Sequence, residues 1–197
     1  MGYVNHSRMA TLATMTEQEL PALDLVAKEL VAKELLAKEV VAKGRALSSP
    51  LRVRILRLCL HHARTNKEIA GLLDINPASS LHHVRTLVRT GFLEPQEGRK
   101  GKRGAKEVPY LATRTSWSTH VDGISPVLIE TFVQETRGLP PDEIDAWRLG
   151  VKFNAARQAE MMGKLRAVVE EYMRLPADDD GEATSLLIAH HRDPTAD

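Results

Sequence analysis

The stretch from Asn66 to Thr113 leaves this chain few ways to fold, because its apolar residues follow a helical period twice and an extended one thereafter. Thr65 or Asn66 is placed to cap a short helix that runs to about Leu73 and buries Ile69, Leu72 and Leu73. The turn Asp74-Ile-Asn-Pro77 follows, with Asn76 as the N-cap and Pro77 as the first residue of a second helix. At about 100° per residue, Leu81, Val84, Leu87 and Val88 fall on one side of that helix. Ser79, His82, His83, Thr86 and Arg89 fall on the other, with Arg85 at the edge. Gly91 ends the helix and Phe92-Leu-Glu-Pro starts an extended segment. Between Gly98 and Lys106 there are three glycines and five cations, after which Val108-Pro-Tyr-Leu-Ala returns as a strand. The pattern predicts helix, turn, helix and a basic hairpin: a winged helix-turn-helix.

Charge gives that outline a purpose. The net charge of the 197 residues is only +1, but residues 44–115 hold 14 Lys and Arg against 5 Asp and Glu, a surplus of +9. Residues 1–43 carry −1 and residues 116–197 carry −7. A basic middle between neutral and acidic flanks is the footprint of a module that binds a polyanion. No acidic residue lies between Ile75 and Leu93, whereas an ordinary solvated helix face mixes both signs. Hydrogen-bonding side chains on a docked helix suit the major groove of duplex DNA, and a basic wing suits phosphates or the minor groove. The expected DNA contacts are Asn66, Lys67, Asn76, Ser79, His82, His83, Arg85, Thr86 and Arg89 from the two helices, and Arg99, Lys100, Lys102, Arg103 and Lys106 from the wing.

Ahead of this module, the first 15 residues show no periodicity and are expected to be disordered. Thr16 and Glu19 have capping-box spacing. A five-residue repeat follows, Leu-Val-Ala-Lys-Glu from Leu25, ending at Val40-Val-Ala-Lys43. It places Glu29, Glu34 and Glu39 four residues before Lys33, Lys38 and Lys43, the favourable order for ion pairs on a helix, and Gly44 is the expected stop. Five residues advance about 500°, so the apolar pairs wind around the helix and form no coiled-coil seam. Such a helix is either packed on several sides, as between two subunits, or a semi-rigid spacer. Ser49-Pro50 then opens another helix, with Leu51, Ile55, Leu58 and Cys59 at core spacing. Arg52, Arg54, Arg57 and Arg64 ring it, some within reach of phosphates.

Beyond residue 115, a helix is expected from Ser125-Pro126 to about Arg137, and a longer one, capped by Asn154, to about Leu175. Alternation predicts strands over residues 146–153 and 183–190. Met161, Leu165, Val168, Val169, Tyr172 and Met173 form an apolar stripe that serves as core or dimer interface; the alternative is an effector pocket of Trp147, Phe153, Met161 and Met162.

The central region resembles the ArsR-type winged-helix regulators. Ala46-Leu-Ser-Ser-Pro-Leu-Arg52 is similar to the segment that opens their domain, and Glu68-Ile-Ala, Leu81-His-His-Val-Arg-Thr-Leu and Gly91-Phe-Leu are similar to their helix-turn-helix. The resemblance covers residues 45 to about 115 and implies a homodimeric DNA-binding transcriptional regulator, usually a repressor. It sets Ser79, His82 and His83 at recognition-helix positions, with Leu81 where a serine is common. Metal-sensing members carry a cysteine-containing ligand set on the helix before the turn; Asn66-Lys-Glu-Ile69 has no thiol, which excludes that soft-metal site. The His61-His62, His82-His83 and His190-His191 pairs are adjacent residues, which diverge by about 100° on a helix and do not chelate.

The expected fold class is therefore mainly α with small β (α+β). Its parts are a disordered terminus (1–15), a repeat helix and dimer contact (16–44), a winged helix-turn-helix (45–115) and a C-terminal α/β segment for dimerisation or effector sensing (116–197). No apolar run reaches the roughly 20 residues of a membrane span, and the N-terminus has no signal-peptide core, so a cytoplasmic location is expected. No nucleophile motif or phosphate loop points to an enzyme, and no cofactor is implied. The expected function is sequence-specific binding of double-stranded DNA by a dimeric repressor, with or without a small-molecule effector. The alternative is a winged helix that docks another protein.

Overall fold

The computed structural model describes residues 19–100, 104 and 106–194. The chain divides after residue 131 into two compact units. The elements of the first are α1 (Glu19–Leu47), α2 (Pro50–Leu58), β1 (Arg64–Thr65), α3 (Asn66–Leu72), α4 (Pro77–Arg89), β2 (Leu93–Pro95), β3 (Arg99–Lys100), β4 (Lys106–Glu107) and β5 (Pro109–Ala112). A 3-10 turn at Thr115–Trp117 follows, and α5 (Ser125–Thr136) crosses the division. The fold is α+β, helices with two small antiparallel sheets.

The helix starts follow their capping chemistry. Ser49 Oγ accepts from the Arg52 N–H, and Asn76 Oδ1 accepts from the Ala78 N–H at 2.8 Å, with Pro50 and Pro77 in the first turns. At α3 the cap is reciprocal: Thr65 Oγ1 accepts from the Glu68 N–H, and the Glu68 carboxylate accepts from the Thr65 N–H at 2.7 Å. Asp74 turns the chain between α3 and α4 with φ 51, a left-handed geometry that aspartate tolerates better than most side chains.

The core lies where α1, α2, α3, α4 and the sheet converge. Ile55, Cys59, Ile69, Val84 and Leu87 are fully buried, Phe92 and Leu93 almost so, and Tyr110 and Val121 pack against them. β5 lies between β1 and β2, with Leu93 opposite Ala112 and Arg64 opposite Tyr110. β1 is not visible in sequence because two residues carry no period; it exists because Arg64 and Thr65 reach the free edge of β5. The separate β3–β4 ribbon sets Arg99 opposite Glu107 and Lys100 opposite Lys106.

The repeat helix forms as expected, with ion pairs Glu29–Lys33, Glu34–Lys38 and Glu39–Lys43 at 2.9, 2.7 and 2.6 Å. It does not stop at Gly44. It continues to Leu47, because Ala46 and Leu47 are buried in the core. A helical glycine costs about 1 kcal/mol relative to alanine. Burying Leu47 returns about 1.5–3 kcal/mol, which decides the outcome. Thr16 and the first 15 residues lie outside the described residues. In α3, Leu72 is exposed, contrary to its expected place in the stripe, and Ala70 is buried beside Ile69 instead.

Cys59 closes α2 as a buried residue, and desolvation pushes its thiol up to about 12. A water-soluble thiol reagent is expected to leave the folded chain unmodified at pH 8 and to label it fully in denaturant. Rapid labelling under native conditions would contradict this burial.

The second unit begins at Phe132. After a 3-10 turn at Pro141–Glu143, α6 (Ala155–Met173) is capped by Asn154 Oδ1, which accepts from the Arg157 N–H at 2.9 Å. The two expected strands, over 146–153 and 183–190, are absent. Their alternation of apolar and polar residues is real, but among the described residues no strand pairs with them, and Trp147, Leu149 and Leu186 are 92%, 76% and 78% exposed. The C-terminal part of the α/β reading thus reduces to helix and irregular chain. Among the described residues no helix is long and apolar enough to cross a membrane.

Candidate nucleic-acid interface

α4 docks through Ser80, Val84 and Leu87, all fully buried, so its outward face is centred on Ala78, Ser79, His82, Arg85 and Arg89. This face is turned from the one expected. Leu81 and Val88 move to one flank and His83 and Thr86 to the other, while Arg85 moves from the edge to the middle. The cause is Ser80: a small side chain lets α4 approach the core closely, a preference that ranking by hydrophobicity misses. Ala78 is the residue sequence reasoning left out. Its place in the first turn after the Asn76 cap was the available signal, and its methyl suits apolar contact with a thymine methyl.

Two asparagines expected at the DNA are occupied with structure. Asn76 Oδ1 caps α4, and Asn66 Nδ2 donates to the Pro77 carbonyl at 2.9 Å, tying the start of α3 to the start of α4. Lys67 is exposed in the first turn of α3. Thr86 Oγ1 donates back to the His82 carbonyl at 3.0 Å, which leaves its lone pairs as its outward function.

His83 is half-buried, with its Nδ1 buried and without a hydrogen-bond partner among the described residues. Desolvation, then the charges of Arg52 and His82, lower its pKa from the ordinary 6.5. The folded chain thus binds this proton less well than the unfolded chain. Stability from His83 is complete above pH 6.5 and is lost as the pH falls through the lowered folded value. Wild type is expected to lose more stability than His83→Gln between pH 7 and pH 5 in urea titrations; parallel losses would contradict the assignment.

Several cations expected at phosphates are structural. Arg52 donates to the carbonyls of Ala46 and Arg45, and Arg64 donates to the Leu58 carbonyl at 2.7 Å, so both brace the ends of helices instead of reaching for phosphates. Arg99 pairs with Glu68. The Glu68 carboxyl is held below its ordinary range, first by the Thr65 N–H and then by the Thr65 hydroxyl and Arg99, against some desolvation. This chain of contacts fixes the base of the wing to α3. Lys100 and Lys106 are exposed opposite each other on the ribbon. Lys102 and Arg103 lie outside the described residues. The module thus combines a hydrogen-bonding helix face carrying Arg85 and Arg89 with a lysine-bearing ribbon tied to α3 through Arg99 and Glu68.

Of the four residues expected to form an effector pocket, Phe153 and Met161 line a shallow hollow of about 410 Å³ on α6, with Arg157 and Lys164 among its other walls. Met162 does not line it, and Trp147 stands 92% exposed. Among the described residues no cluster of three or more His, Cys, Asp or Glu could hold a metal ion.

No family model and no curated protein matches the chain. Among solved structures, reduced HlyU from Vibrio cholerae is similar at 16% identity over 55% of this chain and 98% of its own, with a TM-score of 0.34. The homodimeric winged helix-turn-helix DNA-binding domain of Mb0332 from Mycobacterium bovis is similar at 18% identity over 59% of this chain and 94% of its own, TM-score 0.37. The transcriptional regulator BldR from Sulfolobus solfataricus is similar at 14% identity over 80% of this chain and 99% of its own, TM-score 0.36.

Proposed function

We propose that this chain is a transcriptional regulator that binds duplex DNA as a homodimer, with α4 in the major groove and the β3–β4 ribbon along the backbone. The observation that carries the reading is the outward face of α4. Ser79, His82, Arg85 and Arg89 are exposed together on a rigidly docked helix, within a segment free of acidic side chains. Arginine reads guanine bidentately, serine and histidine offer hydrogen bonds to base edges, and the ribbon lysines meet phosphates. In the ArsR-like arrangement that the sequence resembles, this module acts as a repressor. The buried Cys59 and the thiol-free α3 fit control by something other than a soft metal. The exposed leucines and valines of α1, from Leu25 to Val41, offer apolar surface for assembly.

The test is a salt titration of duplex binding by the full chain. The logarithm of the binding constant should fall steeply and linearly with the logarithm of salt concentration, by about 0.9 per phosphate neutralised. Binding that is absent, or indifferent to salt, would overturn the reading.

A further inference from the structure

We propose that α6 pairs antiparallel with α6 of a second copy of this chain, with Leu165 against Val168 of the partner subunit and Lys164 beside Glu171 of the partner subunit. Three observations converge on this. α6 is 19 residues long and buries none of them, yet helices of this length draw most of their stability from packing an apolar face. One flank is half-buried, at Met162, Val169 and Met173. The open flank shows Leu165, Val168 and Tyr172 at 38%, 54% and 67% exposure.

The open flank also has the right period. Counted with the half-buried Gln158 and Met161, the exposed Leu165, Val168 and Tyr172 alternate spacings of three and four residues, the repeat of a two-helix seam. The repeat helix α1 lacks this, since its apolar pairs wind around the axis.

The direction follows from self-complementarity. Setting Leu165 against the partner's Val168 brings Met161 against the partner's Tyr172, and the two-fold axis repeats both contacts. The partner's Tyr172 ring then meets the hollow lined by Phe153, Arg157, Met161 and Leu165. On the rim, Lys164 falls beside the partner's Glu171 twice per dimer. A parallel pairing would instead place Tyr172 on its own counterpart and Lys164 beside Val169, with no opposite charges matched.

Sedimentation equilibrium of the full chain, without DNA, tests this. Wild type should be dimeric. Lys164→Glu and Glu171→Lys should each weaken the dimer by about tenfold or more, because each sets like charges side by side twice. The double variant should return to within about threefold of wild type. Lys164 also pairs with Glu160 on its own helix at 2.7 Å, but losing that contact would not be repaired by changing Glu171, so the rescue isolates the contact between subunits. A monomer at all concentrations, a dimer indifferent to both single changes, or a double variant without rescue would overturn the pairing. The inference deepens the homodimer reading. Duplex binding measured on the same samples separates the two: binding that persists while the pairing fails leaves DNA recognition standing.

Discussion

Arg85→Gln combined with Arg89→Gln is expected to weaken duplex binding on the order of a hundredfold or more, at about 1–3 kcal/mol for each lost contact. Both side chains are exposed on the face of α4 that points away from the core, so their removal leaves the fold intact. If they meet phosphates, the salt dependence should become shallower by about one contact each. If they meet guanines, the loss should be greatest on the preferred sequence. Quantitative binding curves at several salt concentrations distinguish the two, and unchanged affinity would mean that α4 does not face the duplex. Lys100→Gln with Lys106→Gln should weaken all sequences alike, as expected of backbone contacts.

Phe92→Ala is expected to cost about 3–5 kcal/mol of stability, a large share of the roughly 5–15 kcal/mol that folded domains possess. Phe92 is 1% exposed and sits where three parts of the winged helix meet. Its N–H donates to the Leu87 carbonyl at 2.9 Å as the chain leaves α4, and its carbonyl accepts from the Thr113 N–H beyond β5. The preceding Gly91, at φ 76, makes the reversal that turns the ring inward. Urea unfolding should show the loss at once. A change of less than about 1 kcal/mol would mean that this ring does not organise the core.

The parts of this fold that the sequence announces are those fixed by local chemistry. Ser49-Pro50, Thr65 and Asn76-Pro77 each satisfy orphan N–H groups at a helix start; Ser49 and Asn76 stand where they were expected, and of Thr65 and Asn66 it is Thr65 that caps, with Glu68 closing a box the sequence reading did not include. The Glu–Lys pairs of α1 were equally legible, since each lies within one helix. What escaped depends on distant contacts. The Gly44 stop is overridden by the burial of Leu47, and β1 exists only because β5 offers an edge. The face of α4 turned because space favoured Ser80 over Leu81 at the point of closest packing. Within the candidate interface, the change that matters most follows from that turn: Arg85 joins the outward face and His83 leaves it. Arg99 likewise could be read as a basic wing residue, but not as the partner of Glu68, thirty-one residues away. Strands at 146–153 and 183–190 failed for the same reason, since alternation describes a half-buried strand only when an edge is there to pair with.

Selection of bound sequences from a random duplex pool, run in parallel for wild type and His82→Ala, tests most directly whether the outward face of α4 reads DNA. Wild type should enrich one defined motif. The variant should still bind and lose preference at one or two base pairs within that motif, because a base contact has gone while the phosphate contacts remain. No enrichment by wild type, or an identical motif from the two proteins at every position, would contradict the placement of this face in the major groove.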